Sequence, residues 1–101
     1  MAGPTLSVVI PCYNEEDGIL ELHRRVTAVC TEQLNDDYEL VLINDGSRDS
    51  TWKIMQDLSQ IDRRVVAINL SRNHGHQLAL SAGLQLCRGN RVFILDADLQ
   101  D

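Results

Sequence analysis

Leu6-Ser7-Val8-Val9-Ile10-Pro11 is a nearly unbroken β-rich run stopped by a proline. Runs without polar alternation suit strands covered on both faces, as in parallel sheets. The residues after this run decide the fold class. Ile19, Leu22, Val26, Val29 and Cys30 recur at spacings of three and four, with Glu21, Arg24, Arg25 and Glu32 between them. That pattern predicts an amphipathic helix over about residues 16–33, broken by Leu34-Asn35-Asp36-Asp37. The alternation then repeats. Tyr38 to Ile43 is a second apolar run, ended by the turn residues Asn44-Asp45-Gly46-Ser47. Asp49 or Ser50 caps a second helix with an inner face of Ile54, Met55, Leu58 and Ile61. Val65 to Leu70 is the third strand. A polar loop leads into a helix of about residues 76–88, apolar on more than one side and expected to be the most buried of the three, with Gly89 as its C′ residue. Val92-Phe93-Ile94-Leu95 is the fourth strand. The order β-α-β-α-β-α-β, with connections long enough for right-handed crossovers, predicts an α/β domain with a parallel, Rossmann-like sheet.

Composition narrows the function. The 101 residues are 44% hydrophobic and 24% charged, which fits one globular domain rather than a disordered chain or a coiled coil. No apolar run approaches the roughly 18 residues of a membrane helix, and Met1-Ala2-Gly3-Pro4 lacks the basic start of a secretory signal. A net charge of −6 argues against nucleic acid as a partner, because that needs a basic stripe. Three widely spaced cysteines (Cys12, Cys30, Cys87), with no CxxC, argue against a disulfide framework or a zinc site and for a reduced, cytoplasmic setting.

In open parallel sheets ligands bind beyond the carboxyl ends of the strands. Those ends read Pro11-Cys12-Tyr13-Asn14-Glu15-Glu16, Asn44-Asp45-Gly46-Ser47, Ser71-Arg72-Asn73-His74-Gly75 and Asp96-Ala97-Asp98-Leu99-Gln100-Asp101. If the fourth strand lies beside the first, the Tyr13–Glu15 segment and the Asp96–Asp98 segment meet across one crevice. Neither GxxxxGK[ST] nor a GxGxxG after the first strand is present, so a diphosphate here has no glycine nest. An acidic protein holding a diphosphate needs a bridging cation. Asp96 and Asp98 point the same way in extended backbone, and hard oxygen ligands suit Mg²⁺ or Mn²⁺. Each motif alone also has a plain reading as a solvated turn or as first-turn helix carboxylates. Their shared placement on one edge is what raises the functional reading.

These four segments together resemble family 2 glycosyltransferases of the glycosyltransferase A fold, in order and spacing over nearly the whole chain. Within that family, Ser71-Arg72-Asn73-x-Gly75 and the Asp96–Asp101 ending look like the polyprenyl-phosphate branch, which includes dolichyl-phosphate mannosyltransferases and bactoprenol glucosyltransferases. The resemblance implies strand order 3-2-1-4 and a role for each matching residue. Pro11, Tyr13 and Glu15 would line the base and ribose pocket, and Ile43 and Asp45 would hold the base. Asp96 and Ala97 would sit against the sugar nucleotide, with Asp96 near ribose or metal. Asp98 and Gln100 would coordinate the divalent ion. Many relatives carry Asp-Asp-Gly-Ser where this chain has Asn44-Asp45-Gly46-Ser47, so Asp45 is the matching base contact and Asn44 has no inherited role. Arg72 would orient the nucleotide or brace its loop.

The reaction implied is transfer of a sugar from a UDP- or GDP-sugar to a polyprenyl (dolichyl or undecaprenyl) phosphate, metal dependent and inverting. Residues 1–101 would be the donor-binding, N-terminal part, inactive alone, with acceptor-site loops and membrane segments following. The full enzyme would work at the cytoplasmic side of a membrane, and the 101-residue chain would be soluble and prone to self-association through an uncovered sheet edge. The alternatives are a non-catalytic nucleotide-binding or scaffold fragment and a family 2 transferase with a saccharide acceptor. A phosphoacceptor domain would want paired acids after the first strand, and a nucleotidyltransferase a Gly-rich basic loop there; Pro11-Cys12-Tyr13-Asn14 offers neither. His74-Gly75-His76 lacks a spaced third metal ligand, and Trp52 and His23 read as helix packing.

Overall fold

The computed structural model describes residues 3–70, 76–95 and 97, excepting the side chains of His76 and Gln77. Seven elements alternate: β1 (Leu6–Cys12), α1 (Ile19–Leu34), β2 (Tyr38–Asp45), α2 (Thr51–Ile61), β3 (Val65–Leu70), α3 (His76–Leu86) and β4 (Arg91–Ile94). The strands form one sheet in the order β3-β2-β1-β4, every pair parallel, as expected.

The unbroken apolar runs are explained by burial on both faces. Val8, Ile10, Leu40 and Leu42 face α1 and α2, in one cluster with Ile19, Leu22, Val26, Met55 and Leu58. The alternate residues Val9, Val41 and Ile43 face α3 through Ala79. Replacing a fully buried side chain such as Leu42 by Ala would cost about 2–5 kcal/mol. α3 comes close because Gly83 has no Cβ: one built there would lie 2.5 Å from Ile43 Cδ1 and 2.7 Å from Val9 Cγ1.

Five details correct the sequence reading. First, β1 runs through Pro11, which stands opposite Ile43 in the β1–β2 register. The Leu95 amide donates to the Val9 carbonyl, so odd-numbered residues of β1 face β4, and Pro11 falls past the last β4 pair, where its missing N–H costs little. Second, α1 begins at Ile19, because Glu15 to Gly18 form a turn closed by the Gly18 and Ile19 amides on the Glu15 carbonyl. Third, α2 buries Thr51, Met55 and Leu58, while Ile61 sits about a quarter turn round from that face and is exposed. Fourth, α3 is not the most buried helix: Leu78, Leu84 and Leu86 are exposed, and among the described residues Ala79 and Gly83 are its buried positions, with Leu80 partly buried against the sheet. Fifth, Gly89 lies beyond α3 and serves close approach, since a Cβ there would lie 2.4 Å from the Ser7 amide nitrogen.

Candidate functional site

β1 and β2 end side by side, with Cys12 opposite Asn44, so the loop 13–18 and the turn 46–50 start as neighbours. Hydrogen bonds between backbone amides and short polar side chains zip them together. The Asn14 amide donates to Ser47 Oγ (2.9 Å), and the Arg48 amide donates to Asn14 Oδ1 (2.8 Å). The Glu15 amide donates to Thr51 Oγ1 (2.8 Å), whose hydroxyl donates to Asp49 Oδ1 (2.5 Å). The Glu16 amide reaches Asp49 Oδ2 (3.3 Å), and the Ser50 amide donates to Glu16 Oε1 (3.0 Å). Asn14 has φ 54°, the left-handed region that asparagine tolerates better than most residues. These bonds fix the direction in which Tyr13 and Glu15 leave the strand.

The structure brings most of the expected donor-site residues that it describes to this edge. Tyr13 is exposed, Glu15 half-buried and Asp45 buried at the last β2–β3 pair, opposite Leu70. Pro11 is buried within β1. Ile43 is committed to the core, its side chain against Val9, Ala79 and the Gly83 backbone. Ala97 is buried in the cluster that holds Ile10 and Cys12, and Leu95 packs on the same cluster. Asp96, Asp98 and Gln100, like Arg72 and the rest of the third-strand loop, lie outside the described residues. β4 nevertheless runs parallel to β1, so the chain leaving Ile94 does so at the same edge as Tyr13.

A polar cavity of about 400 Å³ opens beside the zipped loops, lined by residues that include Asn44, Ser47, Asp49, Lys53 and Asn69. Partial desolvation pulls the Asp49 carboxyl up, but bonds from the Thr51 hydroxyl and amide outweigh it and hold the group below the usual carboxylate range. Burial, with the Glu15 charge adding, pushes the Cys12 thiol up to about 12. Cys12 is therefore a neutral, packed thiol, not a nucleophile.

Sequence reasoning missed the work of Asn14, Ser47, Asp49 and Thr51 as loop ties. Their signal was the density of Asn, Asp, Ser and Thr after two consecutive strands, residues that bond nearby backbone in turns. Among the described residues, no three His, Cys, Asp or Glu side chains gather as a metal site. The expected cation ligands thus rest on Asp96, Asp98 and Gln100, a hard-oxygen set that fits Mg²⁺ or Mn²⁺ chemically. Leu95 and Ala97, on either side of Asp96 in sequence, pack in the cluster that holds Ile10 and Cys12.

Comparison with known proteins agrees with this geometry. The chain is 48% identical over 97 residues to an undecaprenyl-phosphate 4-deoxy-4-formamido-L-arabinose transferase of Pseudomonas fluorescens (strain Pf0-1), covering 95% of this chain and 28% of that protein. It is 49% identical over 96 residues to an uncharacterized glycosyltransferase of Synechocystis, covering 95% of this chain and 30% of that one. The chain thus spans less than a third of the length of these curated relatives. Among solved structures, S. aureus TarS 1-349 in complex with UDP-GlcNAc superposes with a TM-score of 0.79 at 25% identity, over 93% of this chain and 26% of that one. A mannosyltransferase from Pyrobaculum calidifontis, in complex with GDP-Man and Mn²⁺, shares the fold at 24% identity and TM-score 0.79, over 97% of this chain and 28% of that one. Among the described residues, no helix is long and apolar enough to cross a membrane. The profile described as Glycosyl transferase family 2 matches residues 7–101, and the chain belongs to that family.

Proposed function

We propose that residues 1–101 are the donor-binding part of a transferase that moves a sugar from a nucleoside diphosphate to a polyprenyl phosphate. One observation carries the reading: two loops zipped together by hydrogen bonds present Tyr13, Glu15 and Asp45 at the carboxyl edge where β4 also ends. The relative named an undecaprenyl-phosphate transferase supports the acceptor, and the TarS complex with UDP-GlcNAc supports a nucleotide-sugar donor.

In this proposal Pro11, Tyr13 and Glu15 line the base and ribose, and Asp45 holds the base. Ile43 contributes through its backbone, since its side chain is in the core. Ala97 backs the sugar nucleotide, and Asp96, Asp98 and Gln100 would hold Mg²⁺ or Mn²⁺. When bound, the cation supplies charge neutralisation at the diphosphate. The acceptor phosphate, with a second pKa near 6, is already largely an anionic nucleophile at pH 7 and needs no strong general base. Direct attack on the anomeric carbon inverts it. The complete enzyme works at a membrane, where its lipid acceptor lies. The 101-residue chain self-associates through β4, whose Val92, Phe93 and Ile94 are exposed; a concentration-independent monomer in sedimentation velocity would exclude that.

Calorimetric titration with UDP, GDP and UDP-sugars, each with and without Mn²⁺, tests the function. Nucleotide binding strengthened by Mn²⁺ is expected. No binding of any nucleotide under either condition would leave the scaffold reading.

A further inference from the structure

The buried carboxamide of Asn44 has a place that the donor-site reading does not use. Asn44 is 4% exposed and stands opposite Asn69 in the β2–β3 register. The Ser47 amide donates to Asn44 Oδ1 (3.1 Å). An amide N–H can only donate, so its partner must be the carboxamide oxygen. That leaves Asn44 Nδ2 toward β3, where it donates to Asn69 Oδ1 (2.8 Å). Ser47 Oγ in turn accepts from the Asn14 amide, and Asn14 Oδ1 accepts from the Arg48 amide. One series of hydrogen bonds therefore runs from the end of β3, through Asn44 and Ser47, to the loop carrying Tyr13 and Glu15. Asp45 lies within the segment that Asn44 closes.

We infer that Asn44 is a positioning residue of the donor site: its carboxamide holds the Asp45-Gly46-Ser47 turn from inside the sheet and, through Ser47, aligns the first loop with it. The inference rests on the donor-binding reading. The two oxygens of an aspartate at position 44 would still accept from Ser47, and Asn69, exposed on its strand, can turn its amide to donate to the second oxygen. Alanine at position 44 loses both contacts.

The test is titration of the protein with UDP and GDP, with and without Mn²⁺, for wild type, D45A, N44A and N44D, with hydrogen exchange of the Ser47 amide measured alongside. N44A is expected to bind about tenfold more weakly with faster Ser47 exchange, and N44D to stay within about threefold of wild type with Ser47 still protected. That split is one that general loss of packing would not produce. Wild-type affinity in N44A, or equal losses in N44A and N44D, would overturn the inference. If D45A weakens binding and N44A does not, the inference fails and the donor site stands; if wild type binds no nucleotide, both fall. Should N44A not fold, S47A takes its place. It keeps the backbone amide of residue 47 donating to Asn44 Oδ1 but removes the acceptor for the Asn14 amide, so weaker binding is expected and unchanged binding would overturn the inference.

Discussion

At the amino end of the sheet, Arg64 bonds to Asp62 (3.0 Å) and Asp36 (2.6 Å) and lies over the Tyr38 ring, while His23 meets the other oxygen of Asp62 (3.0 Å). Beside it, buried Glu39 accepts from the Ser7 hydroxyl (2.6 Å) and the Arg88 amide (2.5 Å). At the carboxyl end, Asp49 and Glu16 are met instead by amides and hydroxyls. Asp62 and Asp36 are answered by basic side chains, Asp49 and Glu16 by neutral dipoles. Neutral dipoles orient a carboxylate without cancelling its charge, so Asp49 and Glu16 are held in place and keep theirs. That combination suits a site whose cation arrives with its ligand.

The comparison can be broken from either side. The largest effect is expected from R64A, which leaves Asp62 buried without its guanidinium: about 3 kcal/mol lost in urea unfolding, with nucleotide affinity unchanged in the material that remains folded. Reduced affinity at constant stability would mean the two ends are not independent. D45A should do the reverse, weakening nucleotide binding tenfold or more, about 1.4 kcal/mol, with a smaller loss of stability than R64A.

Acid stability probes both ends at once. Burial pushes the Asp62 carboxyl up, but His23 and Arg64 outweigh it and hold it below the usual range, as the Thr51 bonds do for Asp49. A depressed folded-state value means the stabilisation is complete above the unfolded carboxylate value of about 3.9 and is lost as pH falls through the folded value. D62N and D49N should each flatten the stability-against-pH curve below about pH 4, D62N more, since Arg64 is charged. A curve for both variants parallel to wild type would contradict the assignment. The smallest effect is expected from K53A at the carboxyl end. Its ion pair with Asp57 is exposed and four residues apart on α2, so its stability should stay within about 0.5 kcal/mol of wild type.

The element order and the 3-2-1-4 sheet were legible because apolar period and resemblance pointed the same way. The boundaries were not, wherever distant partners decided them. Pro11 reads locally as a stop, and only the short β4 makes its missing donor tolerable. The first helix reads as starting near residue 16, but the Glu15 and Glu16 amides are drawn to Thr51 and Asp49, some 35 positions away. The leucines of the third helix read as a buried helix, whereas Gly83 decides which side meets the sheet. At the candidate site, residue identities were readable from motif and resemblance, but the ties among Asn14, Asn44, Ser47 and Asn69 needed the register of three strands.

Pro11 has a further consequence. Continuing the β1–β4 ladder past Ile94 would require the nitrogen of residue 11 to donate to the Leu95 carbonyl, and proline has no hydrogen to give. The seam between the two strands therefore stops closing at a point set by covalent structure. Past Ile94, residue 11 of β1 can give β4 no ladder hydrogen bond, whether or not a ligand is present.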